Sequence, residues 1–179
     1  MRDNLNETRV LPQPPPASTE PPSAALPVCY PPSILLIHPK ERRSKCSLEP
    51  LRGRPDLRFI DFDPKCSLDL TGYVRLNVSG EPLSAADSNC GILLIDGSWR
   101  HAERMQARFT DVPARSLPGY RTAYPRTSKL FRDPPDGLAS IEALYIAYHL
   151  LGRFTEGLLD SYLWRDKFLE MNAEAWRRA

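Results

Sequence analysis

The stretch I-L-L-I-D-G-S-W-R-H-A-E-R-M, Ile92 to Met105, decides how the rest of the chain is read. Ile92, Leu93, Leu94 and Ile95 make a continuous apolar run closed by an acid and a glycine, the pattern of a strand covered on both faces. From Trp99 the period changes. Trp99, Ala102, Met105 or Gln106, and Phe109 recur at helical spacing, so residues 99 to 109 are expected to be a helix. Strand, turn and helix in succession are the grammar of an α/β unit. Open α/β sheets bind ligands outside the carboxyl ends of their strands, and this strand delivers Asp96, Gly97, Ser98 and Trp99 to such an edge. Gly97 permits close backbone approach and Ser98 can cap the helix. Residue types alone leave two readings: Asp96 and Ser98 as capping groups with Trp99 in the core, or the three as the rim of a binding site.

Working outward, S-I-L-L-I from Ser33 is a second short apolar run, followed by His38, Pro39, Lys40 and Glu41 at its polar end. Residues 56 to 62 and 73 to 78 read as two further strands, and 82 to 86 as a helical turn. Between Thr110 and Gly137 the prolines and glycines are too dense for long regular elements, and a loop of this length in a compact domain is usually functional. Ser140 opens a strongly apolar helix that is stopped at Gly152 and is expected to be central and buried. Residues 156 to 176 read as a last amphipathic helix. Before all of this, residues 1 to 32 hold nine prolines among few aliphatics, the composition of a disordered leader, so the folded domain is expected to span 33 to 179.

A chain of 179 residues, 41% apolar, suits one soluble domain. The net charge of +2 hides an uneven distribution. Eight basic residues against two acidic ones lie between Trp99 and Arg132, and six against two between Lys40 and Arg54. A basic surface built from these segments suits a polyanion such as nucleic acid, and solvated surface charge is the plainer alternative. The cysteines at 29, 46, 66 and 90 show neither a C-x-x-C pair nor zinc spacing, which predicts free thiols and no metal. No apolar run approaches the length of a membrane span and no signal-peptide core is visible, so a cytoplasmic location without membrane attachment is expected.

D-G-S-W, Asp96 to Trp99, resembles the D-x-[ST]-W signature of DTW-domain proteins. L-I-H-P-K-E before it, R-S-L-P at Arg115 to Pro118 and L-A-S-I-E-A-L at Leu138 to Leu144 agree with that family in order. The resemblance covers about Ser33 to Gly152. It implies a SPOUT-like knotted α/β domain with a mainly parallel sheet flanked by helices, a topology that pattern reasoning would not have reached because knots are rare. It also implies an S-adenosylmethionine-dependent transferase. The group moved is the 3-amino-3-carboxypropyl group, the acceptor a uridine in RNA, and the by-product 5′-methylthioadenosine. The motifs lie closer to DTW proteins than to the related ribosomal-RNA enzymes, which implies tRNA before rRNA. A SPOUT-like RNA methyltransferase and a non-catalytic RNA-binding module are the alternatives. Two features depart from the family: the cysteine cluster ahead of H-P-x-E is reduced to Cys29, and the usual L-S-T-x-E-A is L-A-S-I-E-A, which leaves Ser140 to cap the helix or a ligand to use its N–H groups.

The resemblance places Asp96 and Trp99 at the catalytic and donor site, Trp99 against the sulfonium and Asp96 either accepting the N3 proton of the base or orienting it. Ser98 is placed with them at the donor site, and Leu117, Pro118, Tyr124, Pro125 and Leu138 are the candidate walls and backbone contacts of the adenosine pocket. The helix start at Ser140 suits the donor carboxylate, and Glu142 either binds the donor amino group or favours the helix start. His38 is either a structural hydrogen-bonding residue or one that positions RNA. Phosphate contacts are assigned to Arg42, Arg43, Arg100, Arg104, Arg121, Arg126, Lys129 and Arg132.

Overall fold

The computed structural model describes residues 30 to 178 except Cys66 and 126 to 133. The leader before residue 30, Cys29, and the basic residues Arg126, Lys129 and Arg132 lie outside the described residues. Five strands, β1 (Ser33–Ile37), β2 (Leu57–Asp61), β3 (Tyr73–Pro82), β4 (Gly91–Asp96) and β5 (Ala114–Ser116), form one sheet in the order β2-β1-β4-β3-β5. Every pairing is parallel.

The two continuous apolar runs are the two central strands, and their alternation explains why both faces are apolar. Leu35, Ile37, Ile92 and Leu94 point into a large core shared with helix α2 (Ser140–Leu150), in which Leu144, Ile146 and Tyr148 are fully buried. Ile34, Leu36, Leu93 and Ile95 point the other way, onto Ala102 and Met105 of helix α1 (Trp99–Gln106). A strand that serves two cores has no face left for polar residues. Tyr148 also anchors the far end of the sheet, its hydroxyl donating to Ser33 Oγ at 3.0 Å.

Three elements differ from the sequence expectation. The proline-rich loop contains β5, three residues long and below the length at which a pattern is visible. The strand expected at 73 to 78 runs to Pro82 with a break in register: Leu76 and Glu81 both pair with Arg115, and residues 77 to 80 bulge out between them. Gly80 sits there at φ +128°, and a Cβ on it would lie 2.7 Å from the Ala114 carbonyl oxygen. The last helix is broken as well. Residues 157 to 163 form turns with Gly157 at φ +78°, followed by α3 (Arg165–Met171) and α4 (Ala173–Trp176). Leu159, Tyr162 and Phe168 keep an inward pattern through the turns, so burial imitates helical spacing without a helix.

Among the described residues no helix is long and apolar enough to cross a membrane. Leu144→Ala removes a fully buried side chain where α2 meets the sheet and is expected to cost about 3 kcal/mol of unfolding free energy by urea denaturation; a loss below about 1 kcal/mol would contradict this packing.

Candidate functional site

The strand register sets the carboxyl ends of β1 and β4 side by side, with Ile37 opposite Asp96 and the His38 amide donating to the Asp96 carbonyl at 2.9 Å. A Cβ at Gly97 would come within 3.1 Å of His38 Cβ, so glycine lets the two chain ends meet. Asp96 turns its carboxylate inward. Ser140 Oγ donates to Oδ1 at 2.6 Å and Cys46 Sγ to Oδ2 at 3.1 Å, which joins β4 to the start of α2 and to the loop after β1.

Burial raises the Asp96 carboxyl above its ordinary value of 3.8; the hydrogen bonds from Ser140 and Cys46 oppose the shift and the nearby Glu41 adds to it. Burial, then Asp96 itself, pushes the Cys46 thiol up to about 12, so it remains a protonated donor rather than a nucleophile.

The turn into α1 is held differently from the expectation. Ser98 occupies the N-cap position, but its hydroxyl makes no cap bond and instead pairs with His101 Nδ1 at 3.1 Å. Glu41 takes over part of the task, its Oε1 accepting from the Ser98 amide at 2.7 Å, and a carboxylate near a helix start is favourable. His38 stacks on His101 with rings 6° apart and centroids 3.8 Å apart. Burial, and then His101, lowers the His38 pKa. His38 Nδ1 accepts from the Lys40 amide at 3.2 Å, which places the proton of the neutral ring on Nε2.

A cleft of about 280 Å³ opens beside this junction. Trp99, Ala102 and Gln106 form its α1 side, Ser116 to Tyr120 the wall after β5, and Asp136, Leu138 and Ser140 the approach to α2. Leu94 and Ile95 are at its base, and Leu76, Asn77 and Val78 enter from the β3 bulge. Of the residues expected in the pocket, Trp99, Leu117, Pro118, Leu138 and Ser140 line it.

Others do not. Tyr124 packs its ring edge-on against Trp164 at 4.9 Å and, with Pro125, is exposed away from the cleft. Glu142 is fully buried, and its carboxylate is committed within the protein: Oε1 accepts from the Ala123 amide and the Tyr162 hydroxyl, both at 2.8 Å, and Oε2 from the Ala139 amide at 2.9 Å. That last contact is half of a capping box; the half missing at Ala139 is not supplied by Ser140, whose hydroxyl goes to Asp96. Asp96 and Ser98 lie beside the cleft rather than in its lining. Arg115 of the R-S-L-P motif is structural, with Nε 3.0 Å from both oxygens of the buried Asp87.

Sequence reasoning missed Cys46, His101, Asn77, Tyr120 and Asp136. Gly80, just past the expected end of the strand at residue 78, was the available sign of the bulge that carries Asn77 and Val78; no spacing announced Cys46. Among the described basic residues, Arg42, Arg43, Arg100, Arg104 and Arg121 are exposed, Arg43 lying 3.7 Å from Asp61. Arg42 and Arg43 follow Glu41, Arg100 follows Trp99, Arg104 lies one turn further along α1, and Arg121 follows Tyr120. Among the described residues no group of His, Cys, Asp or Glu could hold a metal ion.

No family model and no curated protein matches the chain. Among solved structures, one described as the SAM-dependent rRNA:acp-transferase Tsr3 from Vulcanisaeta distributa superposes with a TM-score of 0.62. The match covers 82% of this chain and 82% of that one at 23% sequence identity. The fold is similar to that of Tsr3. Helices flanking a mixed-length parallel sheet are therefore shared with Tsr3 over most of both chains.

The raised Asp96 carboxyl has a consequence for stability. A carboxyl that binds its proton more tightly when folded favours folding at low pH, and that advantage is lost as pH rises from the ordinary value to the raised one. Asp96→Asn has no such dependence. The melting temperature of the variant relative to the wild type is expected to climb as pH rises past the ordinary carboxyl value of 3.8 and then to level off, whereas a constant difference would contradict the raised value.

Proposed function

We propose that the protein transfers the 3-amino-3-carboxypropyl group of S-adenosylmethionine to a uridine in RNA, tRNA before rRNA, on a SPOUT-like knotted DTW domain. The observation that carries the reading is the Trp99-lined cleft at the carboxyl ends of the central strands, in a fold similar to that of an SAM-dependent rRNA:acp-transferase. The order of the four sequence motifs adds to it. The preference for tRNA rests on the motifs alone, and likeness to Tsr3, an rRNA:acp-transferase, supports rRNA as the second reading.

The residues present fit the donor. Trp99 offers an indole face to a sulfonium, worth about 0.5 to 2 kcal/mol as a cation–π contact. Leu117, Pro118 and Leu138 supply apolar surface for an adenosine. Ser140, the first residue of α2, brings unpaired backbone N–H groups and the positive end of the helix to the cleft, which suits the donor carboxylate, and Asp136 on the same side suits the ammonium. In the reaction a bond forms between uridine N3 and the carbon attached to sulfur while the carbon–sulfur bond breaks. Its electron pair neutralises the sulfonium to leave methylthioadenosine, and the N3 proton departs. With the leaving group already activated, alignment is the protein's main task.

Asp96 is the proton acceptor or orienting group in this reading. Its oxygens already accept from Ser140 and Cys46, a carboxylate keeps further lone pairs, and a raised pKa brings a base closer to its working pH. Arg42, Arg43, Arg100, Arg104 and Arg121 hold the RNA backbone, with Arg126, Lys129 and Arg132 assigned the same role, and the target base must be unpaired or flipped to reach the cleft.

Incubating the protein with S-adenosylmethionine and with purified tRNA or rRNA lacking the modification is expected to give RNA-dependent methylthioadenosine by mass spectrometry. S-adenosylhomocysteine would mean methyl transfer, and the RNA that supports turnover decides between the two substrates. Trp99→Ala is expected to weaken donor binding about tenfold, read by calorimetry. Arg100→Ala with Arg104→Ala should leave donor affinity unchanged while weakening RNA binding and lowering its salt slope by about 1.5; an equal loss of both affinities would count against a phosphate role.

A further inference from the structure

The cleft wall after β5 has little regular structure of its own, yet the residues that continue it are held by α2 and by the far end of the chain. Tyr120, in the lining, packs on Trp176 with ring centroids 4.8 Å apart. The Arg121 amide donates to Asn172 Oδ1 at 2.7 Å, and Asn172 Nδ2 donates back to the Arg121 carbonyl at 2.9 Å. The Ala123 amide and the Tyr162 hydroxyl both donate to the same oxygen of Glu142. Tyr124 packs on Trp164.

These contacts are built rather than incidental. Asn172 is 3% exposed, its Nδ2 also donates to the Phe168 carbonyl at 2.8 Å, and Trp176 donates from Nε1 to the Leu169 carbonyl at 3.1 Å. Removing the Asn172 side chain leaves both backbone groups of Arg121 without these partners, and a buried unpaired polar group is costly. Ser116 at the start of the wall is held by β3, its hydroxyl donating to the Gly80 carbonyl at 2.9 Å, and the irregular residues beyond it depend on these contacts for their shape.

We infer that the segment from Tyr162 to Trp176 is the positioning element of the donor-binding wall, so that donor binding and docking of this segment are thermodynamically coupled. Asn172 and Trp176 are positioning residues that act through Tyr120 and Arg121. Coupling is reciprocal: whatever loosens the segment weakens the donor, and the donor tightens the segment. The inference rests on the proposed use of the cleft for S-adenosylmethionine.

Its test uses donor binding to the full chain by calorimetry without RNA, together with turnover measured with RNA supplied. Asn172→Ala and Trp176→Ala are expected to raise the Kd for S-adenosylmethionine on the order of tenfold, with turnover at saturating donor little changed. Trp176→Phe, which keeps a ring against Tyr120, should restore most of the affinity. Ile34→Val, a substitution in the opposite core, controls for stability and should keep the wild-type Kd despite its lower melting temperature. In hydrogen exchange, the donor should slow the amides of α3 and α4. Should Asn172→Ala fail to fold, the two Trp176 variants and the exchange measurement decide. Wild-type affinity in the alanine variants, or exchange in α3 and α4 indifferent to donor, would overturn the coupling and leave the proposed activity standing. A wild-type protein that does not bind S-adenosylmethionine would remove both.

Discussion

The carboxylate of Asp96 is the point at which three distant parts of the chain are made to agree. β1 and β4 pair in a register that puts their ends together, Cys46 reaches the carboxylate from one side, and Ser140 reaches it from the other at the start of α2. A half-buried carboxylate is stabilised by satisfied hydrogen bonds, and these two donors come from segments 50 and 44 residues away. The cleft beside it inherits that precision. Trp99 is three residues from Asp96, Ser140 belongs to both the carboxylate's shell and the cleft lining, and Gly97 fixes how closely His38 approaches.

The motif pairing follows from the same geometry. H-P-K-E and D-G-S-W are separated in sequence but joined by Glu41 and the Ser98 amide, and by the His38 and His101 rings. One motif thus supplies the anion that the start of the other motif's helix requires. The arginine of R-S-L-P holds β5 onto the turn containing Asp87, and the glutamate of L-A-S-I-E-A-L gathers three donors from three segments. Much of the matched motif sequence is therefore scaffolding around the cleft.

How much of this was legible depended on the length scale of the signal. The two central strands were plain because burial on both faces leaves unbroken apolar runs at Ile34 to Ile37 and Ile92 to Ile95, and α1 and α2 because their apolar spacing is strong. β5 was not, since three residues carry no period. The C-terminal helix was overdrawn because Leu159, Tyr162 and Phe168 are buried from turns as well as from a helix. At the cleft, the order of motifs pointed to Trp99, Leu117, Pro118, Leu138 and Ser140, which line it, while Tyr124 packs on Trp164 instead and Glu142, read as either a donor ligand or a helix-start group, holds the Ala139 amide at the start of α2. Cys46 and Asn77 reach the site through a turn and a bulge, features set by backbone geometry rather than by residue pattern.

The strand order has a further meaning for how the chain comes to be folded. Among the described residues β1 is the first strand made, yet one of its two neighbours is β4, the other is β2, and its first residue is anchored by Tyr148 from 115 positions away. Parallel pairing forbids a local hairpin from closing the gap early. A ribosome releasing this chain exposes β1 with an open edge and two greasy faces until α1 and α2 have both emerged, so folding must be late, dependent on distant contacts and slow relative to a protein of local topology.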